Sequence, residues 1–421
     1  METYPATVGQ LSVWRDLEKI PDERRWEANL QFLWDLPAGT TAEHVWDALA
    51  RLANRHGSLR TRYVVDEQGF PRQWPLKDAG DTEAAVHDQV RAGTAGLDEQ
   101  AEAQQRELRT AINVTERLPW RALLLLDDGR PARLVVTVQH MAADGAAALI
   151  MREDFLRLLA GEELPAARGP LEVALEQQGA GGSRLRNAER HWRRTLAAAP
   201  RLAADDPAGV ERERVGATLR TGIPMPRAHA AAAVTGASLS SVLLAVYHRA
   251  LCTVTAEPVH LMFSMSNNRY DDGQATVVTS LNQWVPLLLD AEVSDPAAPL
   301  VEVAGKVHWK HFSALKHGVC SPDAIVAARA EHADADPGYY YNPMLAPPGF
   351  PSLDAPAPST VEFYEPARVT GPGFYLIARG LTSLELELRV NRPGWNRARL
   401  EAFLDKLTSE LTTTVKSTTR P

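Results

Sequence analysis

The stretch that decides the fold is LVVTVQHMAADG, residues 134–145. Its first five residues, Leu134 to Val138, are apolar or β-branched and carry no charge. Such a run predicts a strand that is buried on both faces. The segment from Ala146 to Ala160 is rich in Ala and Leu and predicts a helix. The residues between them therefore form a strand-to-helix turn.

Three residues of this turn suggest chemistry. His140 leaves the end of the buried strand, and an imidazole with an ordinary pKa of about 6.5 exchanges protons near neutral pH. Gly145 follows Asp144 directly, so the backbone can approach a substrate while the first N–H groups of the helix point at the turn. A histidine followed four residues later by an aspartate is also common as a purely structural pair, and the residues alone leave that alternative open.

Composition and charge exclude several classes of protein. The 421 residues are enough for about two to three domains. A formal net charge of −8 argues against nucleic-acid binding, which needs clustered Lys and Arg. No run approaches the roughly 20 apolar residues of a membrane span, and no secretory leader is visible. We therefore expect a cytoplasmic protein without nucleic-acid or membrane partners.

The sequence gives little sign of a metal site. Only two cysteines occur, Cys252 and Cys320, so neither a disulfide framework nor a Cys-rich metal site is expected. His308, His311 and His317 are close in sequence, but no accompanying carboxylate or cysteine spacing supports metal binding. An exposed helix is the expectation for this histidine-containing segment.

Local signals place the elements around the turn. Residues 122–126 predict a strand, and Asp128-Gly129 supplies the hairpin turn that leads back to the strand of His140. Thr40 with Glu43 predicts a capping box, and Gly57 a left-handed stop at the end of that helix. The polar residues 78–109 predict exposed helix.

The clearest linker is QQGAGGS, residues 177–183, which is flexible by composition. We place the boundary between two lobes there, giving an N-terminal lobe of residues 1–178 and a C-terminal lobe of residues 179–421. In the second lobe, Ser238 predicts a helix N-cap, and the segment from His260 onward predicts a strand that runs into a polar turn.

Two motifs resemble a known family. QHMAADG, residues 139–145, resembles the HHxxxDG signature of the condensation domains of nonribosomal peptide synthetases, within the superfamily typified by chloramphenicol acetyltransferase. The second His, the Asp and the Gly match, and Gln139 stands in place of the first His. RHGSLRTRY, residues 55–63, follows the family's RHxxLRTxF pattern, and Gln10 and Trp14 resemble its first motif. We expect Arg60 of the second motif to pair with carboxylates in a structural role.

The resemblance implies roles for further residues. The family's strand that ends in Gly-Arg corresponds to the segment ending in Asn268-Arg269, so Arg269 would form an ion pair with Asp144 as a scaffold of the turn. The segment TSLNQWVPL, residues 279–287, is similar to the family's FVNTLPLR motif. The resemblance therefore implies that Asn282 and Trp284, with Gln139, line a substrate tunnel.

The fold that the resemblance implies is α/β, with two chloramphenicol-acetyltransferase-like sandwich lobes in a V-shaped pseudo-dimer. The implied reaction is acyl transfer from the phosphopantetheine thioester of an acyl- or peptidyl-carrier protein to an amine or alcohol. His140 and the backbone at Gly145 would act in catalysis, without a metal or a tightly bound cofactor.

No adenylation or carrier segment is recognisable, so we expect a free-standing condensation enzyme of natural-product biosynthesis. Two alternatives stay open. The acyl donor could instead be coenzyme A, or the chain could be a catalytically silent condensation-like module that recruits a partner such as a tailoring oxygenase. The joint presence of His140, Asp144 and Gly145 favours the enzyme, because a docking surface has no need of all three.

Overall fold

The computed structural model describes residues 2–179, 182–202, 213–270, 272–295, 297–345, 357–368, 370–380 and 382–417. Its helices are α1 Val8–Leu17, α2 Ala42–Arg55, α3 Ala79–Ala85, α4 Gln100–Arg109, α5 Gly145–Leu159, α6 Pro170–Gln178, α7 Gly182–Ala197, α8 Met225–Val234, α9 Leu239–Thr255, α10 Asp272–Ala275, α11 Leu300–Leu315, α12 Pro322–Glu331 and α13 Arg397–Ser417. Its strands are β1 Tyr4–Pro5, β2 Asn29–Asp35, β3 Thr61–Val65, β4 Pro71–Pro75, β5 Arg91–Gly96, β6 Trp120–Asp127, β7 Arg130–Gln139, β8 Val215–Pro224, β9 His260–Ser266, β10 Gln283–Leu289, β11 Tyr339–Leu345, β12 Thr360–Tyr364, β13 Phe374–Gly380 and β14 Ser383–Val390.

The chain divides into two compact units that are not contiguous in sequence. The first comprises Met1–Leu185, Asn267–Gln283 and Val319–Pro322; the second comprises Arg186–Ser266, Trp284–Gly318 and Asp323–Pro421. The predicted division into residues 1–178 and 179–421 differs from this one. The difference arises because the chain returns twice to the first unit after leaving it. The composition of a linker gives no sign of such returns. Ala180 and Gly181 of that linker lie outside the described residues.

Strand β7 is the second strand of a four-stranded sheet in the first unit. The sheet has the order β2-β7-β6-β5, and β7 pairs antiparallel with both neighbours. Leu134, Val136 and Val138 join the large core cluster of the unit, whereas Val135 packs on the opposite face with Ala103 of α4. The prediction of a strand buried on both faces is confirmed.

The hairpin before His140 is also confirmed. Asp128 and Gly129 connect β6 to β7 with φ angles of 47° and 75°. Two consecutive positive φ angles are typical of the type I′ turn that matches the twist of hairpin strands. This turn fixes the register in which β7 delivers His140 to the end of the sheet.

Several local predictions were wrong at the level of single residues. The N-cap of α2 is Thr41, whose hydroxyl accepts from the backbone N–H of His44, and Thr40 instead donates to Pro37 O. Gly57 begins a 3-10 turn that ends at Arg60, so it does not act as a left-handed stop.

The segment that was predicted to be exposed helix from its polar composition is helical only in part. Residues 78–109 contain α3, a π turn over Val86–Val90, the edge strand β5 and α4. Nearer the N-terminus, β2 begins at Asn29, directly after a 3-10 turn over Asp22–Ala28. Whether a short segment becomes a strand or a turn depends on the segments that pack against it. Sequence periodicity carries no information about those partners.

The second unit is built on a seven-stranded sheet of order β10-β9-β11-β13-β14-β8-β12. Helices α8, α9, α11 and α13 contribute buried apolar side chains to one core with residues of this sheet. Ser238 caps α9 as predicted, since its hydroxyl accepts from the N–H of Ser241. The predicted strand from His260 is β9, which ends at Ser266.

Within the described part of the chain, no single helix has the length and apolar character needed to cross a membrane. One bent pair, Met225–Val234 with Leu239–Thr255, passes on length and composition alone, and its two helices meet at 82°.

The histidines of α11 do not all lie on an exposed face, contrary to the expectation from sequence. Trp309 is largely exposed, but His311 is buried. Its Nδ1 lies 3.1 Å from Ser241 Oγ and its Nε2 lies 2.7 Å from Ser264 Oγ. Burial lowers the pKa of His311 from 6.5 to about 4, so the ring is neutral at neutral pH.

This burial predicts a loss of stability in acid. Because the pKa of His311 is lower in the folded than in the unfolded chain, the unfolded state binds the proton first as the pH falls below 6.5. The free energy of unfolding should fall between about pH 6.5 and pH 4, by as much as about 3 kcal/mol from this group. Urea unfolding of wild type and His311→Gln at several pH values measures this. At about pH 7.5 the variant should have a lower free energy of unfolding than wild type, and that free energy should fall less as the pH is lowered. If the two proteins lost stability equally with falling pH, the buried neutral state of His311 would be contradicted.

Candidate active site

The turn that carries His140 is held from both sides. The backbone N–H of His140 donates to Ala28 O over 2.8 Å, and the N–H of Gln139 donates to Pro119 O over 2.8 Å. Ser58 Oγ donates to Ala142 O at 2.7 Å. The backbone of the turn is therefore fixed by neighbouring segments, while the His140 side chain is only half-buried.

Gln139 contributes to this turn through its side chain. The residue is buried, and its Oε1 accepts a 2.6 Å hydrogen bond from the N–H of Met141. A histidine in its place would have to satisfy the same N–H with a ring nitrogen. The structure thus gives Gln139 a role in shaping the turn, and its role in a substrate tunnel stays a prediction.

Asp144 lies at the N-terminus of α5 and is almost fully buried. Its Oδ1 accepts from the N–H of Ala147 at 2.9 Å, which makes it the N-cap of the helix. Its Oδ2 accepts three further hydrogen bonds, from Arg269 Nη1 at 2.9 Å and from the N–H groups of Leu281 and Asn282 at 2.9 and 3.2 Å. Four donors on one carboxylate define a structural junction, the scaffold role that the resemblance implied for this residue.

The predicted ion pair between Asp144 and Arg269 is present, and both side chains are buried, with exposed fractions of 1% and 4%. The guanidinium group also donates to three backbone carbonyls, those of Asn267, Val277 and Thr279. Arg269 therefore links the backbone at residues 267, 277 and 279 to the Asp144 carboxylate. A buried pair with this many additional hydrogen bonds is well compensated for its loss of hydration.

Asn268 explains why the family's glycine can be replaced here. Its φ is 52°, in the left-handed region that glycine adopts most readily and that asparagine tolerates better than other residues. Its side-chain Nδ2 donates to Leu281 O at 2.6 Å. Asn268 therefore keeps the backbone conformation and adds a contact to the segment that binds Asp144.

Ser280 contacts the His140 ring, and sequence reasoning assigned it no role at the site. Its Oγ lies 3.5 Å from His140 Nδ1 and donates to Asn282 Oδ1 at 2.9 Å. Because the hydroxyl proton points to Asn282, the oxygen is available to accept from Nδ1–H of the imidazole. This arrangement favours the tautomer with the proton on Nδ1 and the lone pair on Nε2.

Asn282 and Trp284 have different surroundings. Asn282 is half-buried and belongs to the same segment as Ser280, so the structure brings it together with His140 and Asp144. Trp284 belongs to the second unit, where its ring packs edge-on against Tyr340 and Tyr375 at centroid distances of 4.8 and 5.6 Å. The tunnel roles of both residues stay predictions.

A buried polar network contacts the 279–282 segment at Thr279. Gln10 Nε2 donates to Tyr63 Oη at 2.8 Å and to Thr279 Oγ1 at 3.0 Å, and its Oε1 accepts from the N–H of Thr7. Burial raises the pKa of Tyr63, so the phenol stays protonated. The first and second sequence motifs therefore meet in space, through Gln10 and Tyr63, at the segment that contacts His140.

Gly9 permits helix α1 to approach this segment. A Cβ atom at Gly9 would lie 2.3 Å from Ser280 O and 2.9 Å from Leu281 Cα, both of which are backbone atoms. Gly9→Ala should therefore displace the 279–282 segment and lower the free energy of unfolding by about 1–3 kcal/mol. It should also lower the transfer rate proposed below.

Urea unfolding and an activity assay of Gly9→Ala test this prediction. The matched control is Gly305→Ala in α11, where nothing lies within 4 Å of the added Cβ. That change should instead stabilise the protein by about 0.5–1 kcal/mol, since alanine favours a helix interior over glycine. Equal behaviour of the two variants would contradict the close approach of α1.

The second motif anchors α5 through an acidic residue. Arg55 Nε and His56 Nε2 each lie 2.8 Å from Asp154 Oδ2, and Asp154 belongs to α5. Burial lowers the pKa of His56 more than Asp154 raises it. Among the described residues Arg60 forms no direct ion pair with a carboxylate and donates to the backbone carbonyl of Leu76, although the charge of Glu172 partly offsets the lowering of its pKa by burial. The structural interpretation of the motif holds through Arg55 and His56 instead.

The first turn of α5, which follows His140 in the sequence, supplies backbone donors. Gly145 is the first residue of the helix. The first four N–H groups of a helix have no partner within it, and one of them, that of Ala147, is taken by Asp144. The N–H groups of Gly145 and Ala146 likewise have no acceptor within the helix, and N–H groups at a helix start stabilise a developing negative charge.

Comparisons with known proteins agree with this architecture. The family model for the condensation domain matches residues 2–301. A search of curated proteins finds N-(5-amino-5-carboxypentanoyl)-L-cysteinyl-D-valine synthase of Amycolatopsis lactamdurans, 34% identical over 169 residues, which are 39% of this chain and 4% of that protein. It also finds surfactin synthase subunit 2 of Bacillus subtilis (strain 168), 25% identical over 281 residues, 64% of this chain and 8% of that protein. The chain thus spans only a small part of the length of these relatives.

A solved structure extends the likeness to almost the whole chain. The condensation domain described for chain release from the enacyloxin polyketide synthase has a TM-score of 0.76 and 20% identity, over 99% of this chain and 82% of that one. The fold is therefore the α/β, chloramphenicol-acetyltransferase-like fold that the sequence predicted. This protein belongs to the condensation domain family.

Proposed function

We propose that this condensation domain transfers an acyl or aminoacyl group from the phosphopantetheine thioester of a carrier protein to an amine or an alcohol. The observation that carries the proposal is the fixed geometry around His140. The turn is anchored by Asp144 and Arg269, and Ser280 favours the tautomer with a lone pair on Nε2. A histidine held in this way suits a general base.

The proposed reaction follows from these groups. Nε2 of His140 accepts the proton of the attacking amine or hydroxyl while its nitrogen or oxygen adds to the thioester carbonyl. The N–H groups of Gly145 and Ala146 stabilise the oxyanion that forms. Collapse of the intermediate breaks the carbon–sulfur bond, and the proton held by His140 passes to the leaving thiolate. The product is an amide or an ester and a free phosphopantetheine thiol.

The proposal includes the partners and setting that the reaction needs. The donor is an acyl- or peptidyl-carrier protein of a natural-product synthetase, the acceptor is a small molecule, and the protein itself contributes no metal or tightly bound cofactor to the chemistry. Neither cysteine is in a disulfide, in keeping with a reducing cytoplasm.

Intact-mass analysis of the donor tests the proposal. Carrier proteins loaded with different acyl groups, and the matching acyl-coenzyme A thioesters, are incubated with the protein and a panel of amines and alcohols. Product formation from carrier-bound donors supports the proposal, and formation only from coenzyme A would replace the carrier with a free donor. Failure with every donor, by a protein that still binds a carrier protein or an oxygenase, would favour the silent recruiting module.

A further inference from the structure

Three potential metal ligands lie close together in the second unit. His248 and Cys252 lie one turn apart on α9, and His260 is the first residue of β9. Their candidate ligand atoms all lie within 4.8 Å of one another. Both histidines are buried, and Cys252 is half-buried.

The separations between these atoms suit one small ion. His248 Nε2 lies 3.5 Å from Cys252 Sγ, and His260 Nδ1 lies 4.0 Å from the same sulfur. A tetrahedral zinc ion with bonds of about 2.3 Å to sulfur and about 2.0–2.1 Å to nitrogen places ligand nitrogen and sulfur about 3.5 Å apart. The first distance matches this value, and the second requires only a small rotation of the His260 ring.

Both histidine rings are oriented by hydrogen bonds to groups outside the cluster. Thr255 Oγ1 donates to Leu251 O at 2.8 Å, so at 3.0 Å from His260 Nε2 it acts as the acceptor of that N–H. The proton of His260 is therefore on Nε2, and the lone pair on Nδ1 faces the sulfur. The His248 ring is engaged by a backbone hydrogen bond to Val293. Such outer contacts are typical of histidines that bind metals.

We propose that His248, Cys252 and His260 bind a single Zn²⁺ ion, with water as the fourth ligand on the half-exposed side of Cys252. Two imidazoles and one thiolate form a donor set that zinc prefers, whereas Mg²⁺ and Ca²⁺ prefer oxygen ligands. Binding forms one zinc–sulfur and two zinc–nitrogen bonds and releases the thiol proton to solvent. The ion would join the end of α9 to the start of β9 and keep one exchangeable water.

The competing explanation is a simple hydrogen bond from the Cys252 thiol to His248, with no ion. The two explanations differ in their spectra, because cobalt(II) bound by a thiolate gives a sulfur-to-cobalt charge-transfer band and intense tetrahedral d–d bands. The full chain, freed of any affinity tag and treated with a chelator, is therefore titrated with CoCl2 and then with ZnCl2. Metal content after gel filtration is measured by plasma mass spectrometry.

We expect one zinc per chain and a charge-transfer band with cobalt that added zinc removes. Cys252→Ser should abolish the band and weaken zinc binding by at least about a hundredfold, and Thr255→Val should weaken it by about 10–100-fold. Cys320→Ser is the matched control, because Cys320 is the other cysteine and lies in the first unit. It should leave the band and the zinc content unchanged.

Folded wild-type protein without the band and without retained zinc would overturn the proposal. A band that survives in Cys252→Ser and disappears in Cys320→Ser would also overturn it. Circular dichroism of each variant establishes that it is folded. Because the readout is metal content and absorption, failure of the acyl-transfer assay would leave this result unaffected.

Discussion

Replacement of Asp144 with alanine should lower the free energy of unfolding by about 3–5 kcal/mol and abolish measurable acyl transfer. The change removes the acceptor of four hydrogen bonds, including the buried ion pair with Arg269. Arg269 would then be an uncompensated buried charge, and α5 would lose its N-cap. The loss of transfer follows because the turn that carries His140 and the 279–282 segment no longer share an anchor.

Urea unfolding followed by circular dichroism measures the loss of stability. The matched control is Asp35→Ala, which breaks the ion pair between Asp35 on β2 and Arg133 on β7. Asp35 is 76% exposed, so that change should cost no more than about 1 kcal/mol. If the two variants lost equal stability, Asp144 would not be the junction described above.

Asp144→Asn separates the cap from the charge. An asparagine is nearly isosteric and can still cap α5 through its oxygen, but its NH2 group is a donor and accepts no hydrogen bond from Arg269, Leu281 or Asn282. We expect a loss of stability close to that of the alanine variant, since the uncompensated guanidinium is the larger cost. A variant as stable as wild type would show that the cap alone holds the turn.

The second large effect is on the reaction rate. His140→Ala should lower the rate of acyl transfer by about 10²–10⁴-fold while the protein stays folded, because it removes the proposed general base and nothing in the anchor of the turn. Single-turnover measurement by intact mass of the carrier-bound donor provides the rate. The exposed His44→Ala in α2 is the control and should retain the wild-type rate.

Ser280→Ala tests how the His140 ring is oriented. The contact between Ser280 Oγ and His140 Nδ1 is long, at 3.5 Å, so its removal should lower the rate by about tenfold or less. We therefore expect the rate of acyl transfer to be much lower in His140→Ala than in Ser280→Ala, and to equal the wild-type rate in His44→Ala. An unaltered rate in His140→Ala would refute the role of general base.

Much of this site could be predicted from the sequence because its parts are local. An uncharged, β-branched run between turn signals favours a buried strand, Asp128-Gly129 is suited to two positive φ angles, and Ser238 precedes a helix that it can cap. The adjacency of His140, Asp144 and Gly145 likewise follows from the order of residues along the chain. The pair of Asp144 with Arg269 was accessible only through the resemblance to the family.

Tertiary structure decided the rest, because the partners lie far apart in sequence. Ser280 contacts His140 across 140 positions, and Gln10 contacts Thr279 across 269. No periodicity or composition rule links such residues. The same holds for the return of residues 267–283 to the first unit, which moved the division of the chain away from the linker at 177–183.

The sequence by itself therefore determined the strand, the turn and the residue types that chemistry requires. The tertiary structure determined the surroundings of each: four donors fix Asp144 in place as part of the scaffold, whereas the His140 ring is half-buried beside Ser280. The physical reason is that a strand or a turn is fixed by short-range sterics and burial. The role of a polar side chain is fixed by the donors and acceptors that folding brings to it.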